Sequence, residues 1–351
     1  MRTKPAYIEI YEKLREDIAE GAYAYGERLP SKRTAAAEFG VSVITAEHAY
    51  RLLEEEGYIR SRERSGFFVC YDEKDAFAFP EPSAERKSAS VQEGGERFPF
   101  SVYARAVRKI LSDRGEEVLV KSPGAGRNEL RLALARYLAR SRGVRVSPDD
   151  IVVGSGAEYL YNLIVALLGR GLVYGIESPS YHRIEQVYAA CGVKIERLPL
   201  GPGGIRSDAL DASEADVLHI TPYRSFPSGI TATAAKKREY LAFAERRGAW
   251  IVEDDFESEI TPSTKPEETL FSIDGGRRVI YLNTFSRTVA PAVRIGYLVL
   301  PEPLRKAFED KLGSWSCTVP TLDQLVLAEL LDSGNFERSL NRMRRRLRKN
   351  G

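Results

Sequence analysis

From Phe98 onward, short apolar runs alternate with helix-length segments, and that alternation constrains the fold more than any other feature. Asp150 to Gly154, Gly171 to Ile176, Val193 to Leu198, Val217 to Thr221, Trp250 to Glu253 and Val279 to Asn283 read as strands. Before and between them, Leu130 to Leu138, Tyr159 to Leu168, Tyr181 to Cys191 and Ala234 to Arg247 read as helices. Strands that stay apolar along their length, instead of alternating with polar residues, are buried on both faces. The pattern therefore predicts an α/β domain with a mostly parallel sheet covered on both sides. With 351 residues, 43% of them hydrophobic, the chain is long enough to build that core and at least one further domain.

The first 72 residues follow a different grammar. Ile8, Tyr11, Leu14 and Ile18 recur at three- and four-residue spacing, which predicts an amphipathic helix ended by Gly21. Ser31 is placed to cap a short helix, Lys32 to Phe39, stopped by Gly40. Ser42 can cap a third helix whose Ala46, Ala49, Tyr50 and Leu53 mark one buried face. Two strand-like runs then flank Arg62–Gly66, a hairpin signal. Helix, helix-turn-helix and basic hairpin is the order of an α+β winged helix-turn-helix. Residues 73–97 are rich in Pro, Ser, Gly and charge without periodicity and read as a linker, leaving 98–351 for the α/β domain.

Net charge is only +2, so contact with nucleic acid has to come from a local patch. Three widely spaced cysteines suggest neither a disulfide framework nor a metal knot, and the N-terminus has no apolar signal segment; a cytoplasmic protein is expected. The best apolar run, Leu160 to Leu168, is about half of the ~20 residues that a membrane span requires.

Two constellations carry chemistry. In the first, Lys32 and Arg33 open the helix before the recognition helix and can reach phosphates. Ser42 and Thr45 lie at the start of the recognition helix, where groove contact falls, and Arg62 and Arg64 sit on the wing. In the second, Gly154-Ser155-Gly156-Ala157 joins a strand to a helix, where free amides and the helix dipole suit an anion. The strand ending Glu253-Asp254-Asp255 offers an acidic site for a protonated ring nitrogen or a metal, or is simply a solvated strand end; no His or Cys neighbours it in sequence, which disfavours metal. The segment Thr284 to Val299 adds hydroxyls and two arginines, Arg287 and Arg294, seven residues apart.

The stretch LREDIAEGAYAYGERLPSKRTAAAEFGVSVITAEHAYRLLEEEGYIRSRERSGFFV resembles the winged-helix domain of GntR-type bacterial repressors, except that an arginine common at the start of the recognition helix is Val43 here. The segments SPGAGRNELRLALARYLARSRGV, IVVGSGAEYL, ESPSYHRI, TPYRSFPSG, IVEDDFESE and NTFSRTVAPAVRIGYLV, in that order, resemble the fold-type-I aminotransferase-like domain of MocR regulators. The resemblance implies a cytoplasmic, homodimeric transcription regulator. Its partners are a double-stranded DNA operator and a small amine or amino-acid effector, and its cofactor is pyridoxal 5'-phosphate. By that resemblance Gly156 and Ala157 face the cofactor phosphate, Tyr181 stacks on the pyridine ring and Asp254 pairs with its nitrogen. Thr284, Ser286 and Arg294 hold the phosphate.

Several positions depart from the family pattern. Arg287 stands where the Schiff-base lysine falls, Phe256 where an aromatic hydroxyl is usual, and Glu158 where a glutamine follows the phosphate turn. Arg224-Ser225 replaces a His-Gln pair, and Ser339 replaces a histidine near the end. The family's small C-terminal domain is expected to be missing, with the last helix, from about Phe336, cut within its pattern. Arginine offers no free amine to an aldehyde, so no internal aldimine and no transamination are expected; Arg287 can still pair with a phosphate. The competing readings are a pyridoxal-phosphate-dependent aminotransferase with a DNA-binding appendage, and a decayed product whose second domain only dimerises.

Overall fold

The computed structural model describes residues 5–62, 65–71, 98–256, 258–260 and 268–350. The proposed linker and Arg64 lie outside these residues. Internal contacts divide the chain into two units, Met1–Gln92 and Glu93–Gly351.

In the first unit, α1 (Ala6–Ala19), α2 (Lys32–Glu38) and α3 (Val43–Glu55) precede a hairpin of β1 (Ile59–Arg62) and β2 (Gly66–Val69). The buried face of α1 is Ile10, Tyr11, Leu14 and Ile18, so Ile10 takes the place expected for Ile8. Ser31 and Ser42 cap their helices: their hydroxyls accept from the amides of Thr34 (3.1 Å) and Thr45 (3.2 Å). The hairpin is antiparallel from Ile59 opposite Val69 to Arg62 opposite Gly66. Arg28 forms an isolated antiparallel bridge to Phe68 on the other side of β2. Tyr50 on α3 is fully buried and donates its hydroxyl to the Pro30 carbonyl (2.7 Å), joining the recognition helix to the turn before α2.

The second unit runs α4 (Phe100–Arg114), α5 (Asn128–Arg142), β3 (Ile151–Gly154), α6 (Ala157–Leu168), β4 (Val173–Ser178) and α7 (His182–Ala190). It continues with β5 (Lys194–Gly201), β6 (Gly204–Ile205), α8 (Ser207–Ala212), β7 (Val217–Ile220), α9 (Ala234–Arg247), β8 (Trp250–Asp254) and α10 (Leu270–Asp274). The last elements are β9 (Val279–Thr284), β10 (Gly296–Val299), α11 (Glu302–Leu312), α12 (Thr321–Asp332) and α13 (Asn335–Asn350). Among the described residues, eight strands form one sheet in the order β3-β10-β9-β8-β7-β4-β5-β6. The pairs β9–β8, β8–β7, β7–β4 and β4–β5 are parallel. β10 is antiparallel to both its neighbours, and β6 folds back on β5.

The two-residue period of the strands divides their side chains between two cores. Val279 and Tyr281 of β9 enter one, with α5, α9 and α12; Ile280 and Leu282 enter the other, with α6, α7 and α11. α12 is apolar around most of its circumference because it lies against both α4 and α5.

This topology creates the candidate site. Because β10 opposes both β3 and β9, those two strands point the same way, as do β8, β7 and β4. The carboxyl ends Gly154, Thr284, Asp254, Ile220 and Ser178 therefore lie along one edge of the sheet. Gly296 pairs with both Gly154 and Thr284, and Asp254 with Leu282, so the small-residue turn, the acidic strand end and the hydroxyl-arginine segment are neighbours there. Ligands of open α/β sheets bind outside this edge.

Candidate functional site

At the turn after β3, Gly156 has φ +92°, a left-handed conformation suited to glycine, and a Cβ there would lie 2.8 Å from Arg294 Nη2. The Gly156 amide donates to the Gly154 carbonyl (2.9 Å). The amides left over for an anion are those of the first turn of α6, beginning at Ala157. That turn carries its own anion. Glu158 Oε2 accepts from Arg294 Nη2 (3.1 Å) and its Oε1 from Arg183 Nη1 (2.8 Å). The arginine expected to clamp a phosphate is thus already paired with a carboxylate, one residue past the phosphate turn.

Asp254 ends β8 and is 5% exposed. Tyr161 on α6 donates its hydroxyl to Asp254 Oδ2 (2.5 Å). His219, from the middle of β7, is 1% exposed, with Nε2 3.6 Å from the same oxygen and Nδ1 2.7 Å from the Tyr188 hydroxyl. Burial, followed by the nearby Tyr174 and Asp254, holds the Tyr188 hydroxyl proton well above its ordinary range, so that hydroxyl can donate to Nδ1 and leave a proton on Nε2 facing Asp254. Asp254 is therefore a buried carboxyl held by one hydrogen bond, from Tyr161, with His219 Nε2 close by and without a hydrogen-bond partner among the described residues. Sequence reasoning missed Tyr161 and His219, although a histidine inside the otherwise apolar run Val217–Ile220 was a readable signal.

The other expected residues are distributed unevenly around this edge. Thr284 is buried at the end of β9, and its amide donates to Asn283 Oδ1 (2.6 Å); Ser286 is half-buried. Tyr181 immediately precedes α7 and meets Phe226 edge-on, ring centroids 6.2 Å apart. Arg287 is exposed, and its guanidinium lies over the Phe256 ring, 5.7 Å from the centroid. The two residues that the resemblance marks as departures, Arg287 and Phe256, thus contact each other.

Aligned as the family resemblance implies, these residues do not fit a covalently held pyridoxal phosphate. No amine stands at position 287, no hydroxyl at 256, and Glu158 opposes a phosphate beside Arg294.

Behind the edge lies a second buried acidic group. Arg142 pairs with Asp255, which also accepts from the Tyr281 hydroxyl (2.5 Å), and Glu259 accepts from Tyr137 (2.6 Å). Burial pushes Glu177, Glu253 and Glu259 up to about 7. Repulsion from Asp255 adds to the rise at Glu253, while hydrogen bonds from Ser225 and Tyr137 partly offset it at Glu177 and Glu259 respectively. A carboxyl raised in the folded state binds its proton there more tightly than in the unfolded chain. Its stabilising contribution is complete below the unfolded value of 4.5 and is lost as pH climbs through 7. Unfolding followed by the fluorescence of Trp250 and Trp315, both in this unit, is expected to show a Tm about 5 °C lower at pH 8 than at pH 5.5. Glu259→Gln, which keeps an acceptor for Tyr137, flattens that slope; an unchanged slope contradicts the assignment.

In the first unit, Arg33 is exposed and makes no ion pair with a described residue. Lys32 is held by Glu47 (2.6 Å) and lies above the Phe67 ring. The Ser42 hydroxyl is 2.8 Å from that of Thr45. Arg62 stacks on Phe68 with its guanidinium 4.5 Å from the ring centroid. Arg28 was not anticipated: a Cβ added at Gly66 would come 3.0 Å from its Nε, so it lies against the wing and adds a cation there.

A winged helix with exposed cations and an aminotransferase-type sheet, in one chain, define the class. Residues 6–69 match the family model described as bacterial regulatory proteins, gntR family, and residues 91–351 match aminotransferase class I and II. The HTH-type transcriptional regulator YdeL of Bacillus subtilis is 31% identical across 98% of this chain and 77% of its own length. The probable rhizopine catabolism regulatory protein MocR of Rhizobium meliloti is 29% identical, across 97% and 74%. Among solved structures, the α-aminoadipate aminotransferase LysN of Thermus thermophilus is 30% identical with TM-score 0.63, covering 72% of this chain and 66% of that one. The Pyrococcus horikoshii kynurenine aminotransferase, solved with PMP, is 27% identical with TM-score 0.64, covering 71% and 64%. The chain thus spans just under two thirds of these aminotransferases. It belongs to the MocR-type transcriptional regulators, in which a GntR helix-turn-helix domain is joined to an aminotransferase class I and II domain. No described helix is long and apolar enough to cross a membrane.

Proposed function

We propose that this chain is a cytoplasmic, DNA-binding transcription regulator whose aminotransferase-like domain senses an effector or holds the dimer together and performs no catalysis. The observation that carries the non-catalytic half is the contact between Arg287 and Phe256: the position from which a lysine would reach the cofactor aldehyde holds a guanidinium parked over an aromatic ring. A guanidinium stays protonated at physiological pH, with a pKa above about 12, and cannot condense with an aldehyde. Pyridoxal phosphate is bound non-covalently at best. Its ring nitrogen would meet Asp254, its ring Tyr181, and its phosphate Gly156, Ala157, Thr284, Ser286, Arg287 and an Arg294 that must first leave Glu158. The same edge suits a small amine or amino-acid effector, whose ammonium group would find Asp254.

The DNA contacts fall on residues 1–72, with 73–97 as linker and 98–351 as the second domain. Lys32, Arg33, Arg62 and Arg64 contact phosphates, and Ser42 and Thr45 enter the groove, in a homodimer reading paired half-sites of duplex DNA. Each phosphate contact releases counterions. Arg33→Ala is therefore expected to weaken binding to all sequences and to shallow the log K against log salt slope by about one unit. Fluorescence anisotropy of a labelled duplex over a salt series measures this, and an unchanged slope overturns the assignment of Arg33.

A further inference from the structure

Two branched apolar residues, Val43 and Ile44, form the first turn of α3. They are 44% and 75% exposed, while the inward face of the helix is complete without them in Ala46, Ala49, Tyr50 and Leu53. They are adjacent, and they sit at the end of the helix that a helix-turn-helix presents to base edges. The polar groups beside them are engaged: Ser42 caps the Thr45 amide and meets its hydroxyl at 2.8 Å. One turn on, Glu47 holds Lys32 at 2.6 Å. The turn Val43-Ile44-Thr45-Ala46 contains no cation, so it has nothing with which to take the paired acceptors of guanine. The major groove exposes one apolar group to an apolar side chain, the thymine C5-methyl.

We propose that Val43 and Ile44 are specificity-determining residues that pack against thymine methyl groups, so that the operator half-site carries thymine where α3 enters the groove. The inference rests on the DNA-binding reading above. It assigns to the helix start a readout by shape and apolar contact, while affinity comes from the phosphate contacts of α2 and the wing.

The test uses the full chain and a randomised duplex library. The selected duplex is resynthesised with deoxyuridine in place of each thymine in turn, which removes only the methyl group. Burial of one methyl corresponds to about a fourfold change in affinity, so one or two positions per half-site are expected to weaken binding about fourfold when substituted. In Ile44→Ala the thymine duplex binds more weakly by a similar factor, the deoxyuridine penalty disappears at the position Ile44 covers, and the salt slope stays as in the parent. The exposure of Ile44 leaves folding of the variant intact. A duplex that is still selected but indifferent to deoxyuridine at every position overturns methyl readout while leaving DNA binding standing. Failure to select or bind any duplex overturns the DNA-binding reading and this inference with it.

Discussion

Arg142→Ala is expected to destabilise the aminotransferase-like unit by about 3–5 kcal/mol, lowering its Tm by about 10 °C. Arg142 ends α5 and is almost fully buried; its guanidinium meets Asp255, which is equally buried at the end of β8. The pair's burial costs more solvation than a surface bridge, so its net contribution against an apolar replacement is small. Removal of one partner is different, because it strands the other charge in a medium that cannot solvate it. Asp255 would keep only the Tyr281 hydroxyl, within reach of the raised Glu253 and Glu259. The double variant Arg142→Met with Asp255→Asn, which leaves an acceptor for Tyr281, is expected to recover at least half of the loss. Urea unfolding followed by tryptophan fluorescence measures both; a single-variant loss under about 1 kcal/mol contradicts the account. This pair fixes the backbone beside Asp254, so it holds the candidate site in place from behind.

The strands of the α/β domain and the helices of the winged helix were legible because both are written in local periodicity. Val152, Val252 and Ile280 announce a doubly covered sheet, and Ser31 and Ser42 announce helix starts that the structure confirms by hydrogen bond. The placement of Gly154, Asp254 and Thr284 along one edge is a matter of strand order, and no local pattern contains strand order. The reversed strand β10, which makes β3 and β9 co-directional, was not read as a strand, although it contains the run Gly296 to Val299. The same holds for partners far apart in the chain. Arg294 is 136 residues from Glu158, and Tyr161 is 93 from Asp254, so the sequence could nominate each residue but not the pairing. Glu158 illustrates the difference: its carboxylate was readable as a misfit, while the structure adds that it bridges Arg183 and Arg294.

The departures in the pocket predict how it could be reopened. Arg287→Lys alone introduces a primary amine at the edge where Asp254 waits, and it is expected to generate an aldimine absorbance band with pyridoxal phosphate. Binding stays weak in that variant, because Glu158 still neutralises Arg294 and opposes the phosphate. Adding Glu158→Gln removes the internal anion and frees both arginines. A charge-assisted hydrogen bond is worth about 1.5–3 kcal/mol, so the double variant is expected to bind the cofactor at least tenfold more tightly than Arg287→Lys. Equal affinity in the two variants would show that Glu158 does not compete with the phosphate.

The central claim, that this member of the family has a site from which covalent cofactor chemistry has been removed, is tested most directly on the unaltered chain. The protein is saturated with pyridoxal phosphate, reduced with borohydride and analysed by intact mass and peptide mapping, with Arg287→Lys as the positive control. The account predicts no stoichiometric adduct in the unaltered chain and one per chain at position 287 in the variant. One phosphopyridoxyl group per unaltered chain, mapped to a single lysine of residues 98–351 and accompanied by an aldimine band that survives dialysis before reduction, would contradict it.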